Sequence, residues 1–117
     1  ISGCLWKSKM ITKLYKNLIN SLNGLKIVIK EKSFLMELIL GLFLIPYIFL
    51  SNIEFNHKLF LLVLYFLLLA TEIMNTAIEK LSDKFTKDFD NDIKNIKDLS
   101  SASVFIVLIT LIITFFL

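Results

Sequence analysis

The chain has 117 residues, 56% of them hydrophobic, with three Gly, one Pro and one Cys. Its mean hydropathy of +0.76 is above that of a soluble globular domain of this size. Thirteen lysines, no arginine and ten acids leave a net charge of +3. These charges alternate with long apolar runs, so the basic balance points to a membrane surface and not to nucleic acid. One cysteine, Cys4, excludes an internal disulfide, and one histidine, His57, excludes a histidine cluster. The length allows a single domain over residues 1–117, too short to enclose a large core unaided.

The first element is amphipathic. Trp6, Met10, Leu14, Leu18, Leu22, Leu25 and Ile29 recur at spacings of four or three, and lysines fall largely on the other faces. That pattern predicts a surface helix over 5–31, with its lysines available to anionic headgroups and with Gly24 as a weak point. No continuous apolar stretch leads to a small-residue cleavage site here, so a cleaved signal peptide does not fit.

Three apolar segments follow, at 34–50, 59–78 and 99–117, with Glu37 and Glu72 as the charges within them. At 1.5 Å per residue each reaches about 26–30 Å, the thickness of the hydrocarbon core. Helices of a soluble bundle would need a polar face at helical period, and these segments have almost none. The expected fold class is an all-α membrane protein, a surface helix plus three transmembrane helices. Pro46 is expected to kink the first span, and Gly41 to ease close packing there. Seven lysines lie at or before Lys32, one in 51–58 and five in 80–98. The positive-inside rule then puts the N-terminus and the 80–98 loop in the cytoplasm and the C-terminus outside.

The polar residues inside these spans carry the chemistry. Glu72 lies about 9 Å from the end of its span by helical rise. A carboxylate at depth costs up to roughly 2.5–3.5 kcal/mol on the insertion scale, so it marks a functional site by default. The plainer reading is a protonated contact between helices. Glu72, Asn75, Glu79 and Asp83 follow one another at i, i+3, i+7 and i+11, one helical stripe running out toward water. Acids near a helix C-terminus oppose its dipole, which argues for a cation partner, and hard oxygen ligands at a wet helix end suit Mg²⁺ shared with phosphates. Lys97 and Asp98 precede the third span, followed by the small run Ser100–Ser103. Glu31 and Glu37 bracket Phe34 at the same leaflet. Gly3, Gly24 and Gly41 are isolated, so there is no glycine-rich phosphate loop, and any nucleotide must be held by side chains and metal.

The run Glu72-Ile73-Met74-Asn75-Thr76-Ala77-Ile78-Glu79, then Asp83, then Lys97-Asp98 with small residues after it, resembles the bacterial diacylglycerol kinase family of small trimeric membrane enzymes. Gly24-Leu25-Lys26 and Glu31-x-x-Phe34-x-x-Glu37 are similar to that family's N-terminal elements. The resemblance implies transfer of the γ-phosphoryl of MgATP to a lipid hydroxyl at the inner membrane, diacylglycerol becoming phosphatidic acid, with a homotrimer as the working unit. It implies Glu72 as general base with Asn75 beside it, and Glu31 and Glu79 as Mg²⁺ ligands. Lys13, Asn20, Glu31, Glu79, Asp88, Asp90, Lys97 and Asp98 would meet the nucleotide, and Ser33, Phe34, Glu37, Glu72 and Ser101 the lipid. Asn20, Lys26, Leu35, Met36, Asp90 and Ile96 depart from the family pattern, and undecaprenol is the alternative lipid. A pore or membrane anchor without catalysis would account for the hydropathy but leave the polar stripe unexplained.

Overall fold

The computed structural model describes residues 2–117, the Ser2 side chain excepted, and within them every regular element is an α-helix. α1 (Ser2–Val28), α2 (Lys32–Leu50), α3 (Phe55–Phe85) and α4 (Asn91–Phe116) follow in chain order. The last three are long and apolar enough to cross a membrane. The chain divides into two compact units, 1–31 and 32–117.

The first unit is α1 and its exit. The helix runs unbroken through Gly24, and its apolar side chains from Leu5 to Leu25 are exposed. The α-helix expected over 5–31 is thus present up to Val28. Backbone bonds from Lys30 N–H to the Ile27 carbonyl (3.3 Å) and from Glu31 N–H to that of Val28 (2.9 Å) tighten the chain past its last turn.

The second unit is a three-helix bundle in which α3 packs on both α2 and α4, more extensively on α4. Its apolar core is Leu44 and Ile48 of α2, Leu61, Tyr65 and Leu68 of α3, and Leu111 of α4. These core residues lie toward the 51–54 turn, where Tyr47 and Phe115 also stack their rings 5.0 Å apart. α2 continues through Pro46, which lacks the N–H for the Leu42 carbonyl. The threonine hydroxyls within the spans are satisfied by their own helices, as with Thr110 to the Ile106 carbonyl and Thr114 to that of Thr110, both 2.8 Å.

The helices differ from the apolar segments in extent. α3 is 31 residues long where hydropathy marks 59–78, and α4 is 26 residues long where it marks 99–117. The expected 80–98 loop is therefore mostly helix, and only residues 86–90 connect α3 to α4. Hydropathy reads the stretch that lipid covers, whereas backbone hydrogen bonding continues along polar residues into water. Asp90 starts α4 by capping it: its Oδ1 accepts from the N–H groups of Asp92 (2.9 Å) and Ile93 (3.1 Å).

Candidate active site

The second half of α3 carries the polar stripe. Glu72 and Asn75 are buried, 5% and 7% exposed, in a span whose other buried positions are mostly apolar. Glu79 and Asp83 follow on the same face and are exposed. The Asn75 Nδ2 donates to Glu79 Oε1 at 3.1 Å, so the amide ties the buried part of the stripe to the wet part. Its Oδ1 is buried and accepts no hydrogen bond. Thr76, also buried, donates to the Glu72 carbonyl at 2.9 Å and so brings no unsatisfied hydroxyl to the site.

Both neighbouring helices reach the stripe. From α2, the Glu37 carboxyl lies beside that of Glu72. Its Oε2 is buried without a partner. From α4, the Lys97 ammonium forms an ion pair with Asp83 Oδ1. Two carboxyls in contact at the deep end, an amide bridging to a third, and a cation at the outer end make a ladder about 16 Å long over eleven residues of helical rise. Such a ladder can take a proton from a hydroxyl in the lipid and offer metal and phosphate ligands nearer water.

The profile described as prokaryotic diacylglycerol kinase matches residues 19–117, which include all of α2, α3 and α4. The chain belongs to the prokaryotic diacylglycerol kinase family. A diacylglycerol kinase of Pseudomonas aeruginosa is 30% identical over 84 residues, covering 72% of this chain and 68% of that one. This member of the family is thus a membrane protein of the lipid kinase class, a transferase whose family acts on lipid.

The remaining candidate residues fall into several groups within the diacylglycerol kinase fold. Phe34 is buried on α2, whereas Ser33 is exposed beside it. Ser101 is exposed on α4, and the buried hydroxyl of that run is Ser100. Asp98 bonds Lys94 one turn back at 2.7 Å, with both side chains well exposed, so its contact runs along α4 and not to the stripe. Asp90 spends one carboxylate oxygen on the α4 cap. Asp88 is exposed in the turn, its N–H bonded to Thr86 Oγ1 at 3.1 Å. Lys13 and Asn20 are exposed on α1, Lys13 ahead of the family match, and Glu31 is half-buried after its end.

Among the described residues, no three His, Cys, Asp or Glu side chains gather into a set that could hold a metal ion. A Mg²⁺ carried by nucleotide needs no such cage, since it takes one or two carboxylates alongside phosphate oxygens and water. Glu79, exposed at the wet end of the stripe, is a carboxylate of that kind. Sequence reasoning missed Tyr65, buried on α3 two turns before Glu72 with its hydroxyl bonded to the Glu37 carbonyl at 2.9 Å. The available signal was its spacing: seven residues from Glu72 puts a phenol on the same face of the same span.

Proposed function

We propose that this protein is an ATP-dependent diacylglycerol kinase, which forms phosphatidic acid at the cytoplasmic face of the inner membrane. Glu72 is the general base. It takes the proton of the lipid hydroxyl as that oxygen bonds to the γ-phosphorus, and the bond from the γ-phosphorus to the bridging oxygen breaks, so ADP leaves with the electron pair. Phosphoryl transfer asks chiefly for positioning and charge neutralisation. MgATP enters as the co-substrate from water, where Glu79 and Glu31 are the carboxylates for its metal and Lys97 is the cation for its phosphates. Lys13, Asn20, Asp88, Asp90 and Asp98 are the further nucleotide contacts. On the lipid side, Ser33, Phe34, Glu37 and Ser101 are the contacts, with Asn75 beside the base. The lysine-rich N-terminal segment and residues 80–98 face the cytoplasm, and a homotrimer is the working assembly.

One observation carries this reading: a buried carboxyl in an apolar span, met by a second carboxyl and continued by Asn75 and Glu79 toward water. A base at that depth meets a hydroxyl that a soluble enzyme does not reach. The test is the purified full chain in mixed micelles with labelled ATP and a panel of lipids. Diacylglycerol is expected to take up phosphate faster than undecaprenol. Faster labelling of undecaprenol would reassign the substrate, and no labelling of any lipid alcohol would defeat the kinase reading.

A further inference from the structure

Glu37 is held by α3 at two points. Its side chain meets Glu72, and its backbone carbonyl accepts a hydrogen bond from the Tyr65 hydroxyl at 2.9 Å. Tyr65 and Glu72 are seven residues apart and so lie on one face of α3. Tyr65 is 3% exposed, and its ring reaches α2 only because residue 41 is glycine. A Cβ at Gly41 would overlap the Tyr65 hydroxyl and ring carbon Cζ, and would lie 3.0 Å from Cε2. Glu37 and Gly41 are one helical turn apart, so the phenol fits the notch at Gly41 and bonds one turn back along α2.

Packing among apolar helices in lipid has little hydrophobic drive, and it is close contacts and hydrogen bonds that fix one helix against another. The apolar residues of α2 and α3 alone leave their relative sliding weakly specified. A slip of one residue would move the Glu37 carboxyl about 1.5 Å along Glu72. We infer that Tyr65 and Gly41 form a register lock, in which the phenol seated over Gly41 and bonded to the Glu37 carbonyl sets the Glu37 side chain against Glu72 for phosphoryl transfer. Tyr65 is a positioning residue, since it acts through the backbone of Glu37 and not on substrate. The catalytic part of this inference rests on the kinase reading above; the register contact itself does not.

The experiment uses the full chain in mixed micelles with diacylglycerol and ATP, and compares Tyr65→Phe, Tyr65→Leu, Gly41→Ala and the Gly41→Ala/Tyr65→Leu double variant. Tyr65→Phe keeps the ring and loses the hydrogen bond. It is expected to lower kcat about tenfold with KM for ATP and helical content unchanged, as a misplacement of under an ångström does. Gly41→Ala is expected to lower kcat further in the Tyr65 background and to cost nothing more in the Tyr65→Leu background, where no phenol occupies the notch. Wild-type kcat in Tyr65→Phe, or a loss that only tracks the folded fraction, would overturn the positioning role. So would an equal cost of Gly41→Ala in both backgrounds. If the wild-type chain phosphorylates no lipid, the kinase reading fails separately. The lock is then read from thermal unfolding: non-additive shifts for Gly41→Ala and Tyr65→Leu uphold it, and additive shifts overturn it.

Discussion

The two ends of the bundle are held together by different physics. Toward the 51–54 turn, Leu44, Ile48, Leu61 and Leu111 interlock without a polar atom among their side chains, and an apolar groove of ≈ 440 Å³ beside them opens between α2 and α4. Toward the 86–90 turn, the contacts between helices include Glu37 with Glu72 and Lys97 with Asp83. In lipid, the first kind of contact is worth the dispersion energy of well-packed atoms and is indifferent to chemistry. Of the second kind, Glu37 with Glu72 places ionisable groups within a span, where they are costly, whereas Lys97 with Asp83 is exposed at the wet end. The groove is lined by aliphatic and aromatic side chains and carries no carboxylate or ammonium group. The proposed chemistry lies at the polar end.

Four measurements would break or sharpen that contrast. The largest effect belongs to Glu72→Gln, which keeps shape and hydrogen bonding but removes the base. Lipid phosphorylation should fall about a thousandfold while circular dichroism of the micellar protein stays unchanged; turnover within tenfold of wild type would end its assignment as base. Next is Glu79→Ala, two turns outward, for which the Mg²⁺ concentration at half-maximal rate should rise about tenfold. An unchanged metal titration would remove it as a ligand. At the other end, Leu61→Ala leaves a void at a fully buried position and should cost about 2 kcal/mol of stability. Turnover per folded molecule should stay at the wild-type level, and a loss of intrinsic kcat there would blur the division between the two ends. The smallest effect is expected from Lys94→Ala. It breaks an exposed i, i+4 pair with Asp98, and unfolding should shift by less than about 0.5 kcal/mol. A larger shift would mean that this pair is more than a solvated helix contact.

The candidate site was legible in the sequence where it lies on a single helix. Glu72, Asn75, Glu79 and Asp83 fall on one face of any α-helix, so their spacing was enough to place them together, and the Asn75–Glu79 bond is local to α3. The pairing of Lys97 with Asp83 joins residues fourteen apart across a turn, a partner that the sequence did not name. Asp90 and Asp98 read as nucleotide ligands from the motif alone. In the fold, Asp90 serves its own helix start and Asp98 bonds along its own helix surface, contacts that depend on where α4 begins. Helix ends were the least legible feature, because the apolar segments stop at the lipid boundary whereas α3 and α4 continue into water.

Composition and periodicity by themselves determined that the chain forms helices, that three of them are long and apolar enough to span a bilayer, and that an acidic stripe lies on the second. These are properties of one helix at a time, set by 3.6-residue periodicity and the cost of bare backbone in lipid. Only the tertiary structure decided which residue of α2 meets Glu72 and how that meeting is fixed. A contact between two helices depends on their relative sliding and rotation, which hydropathy does not encode. Here a phenol in the notch of a glycine on the facing helix supplies it.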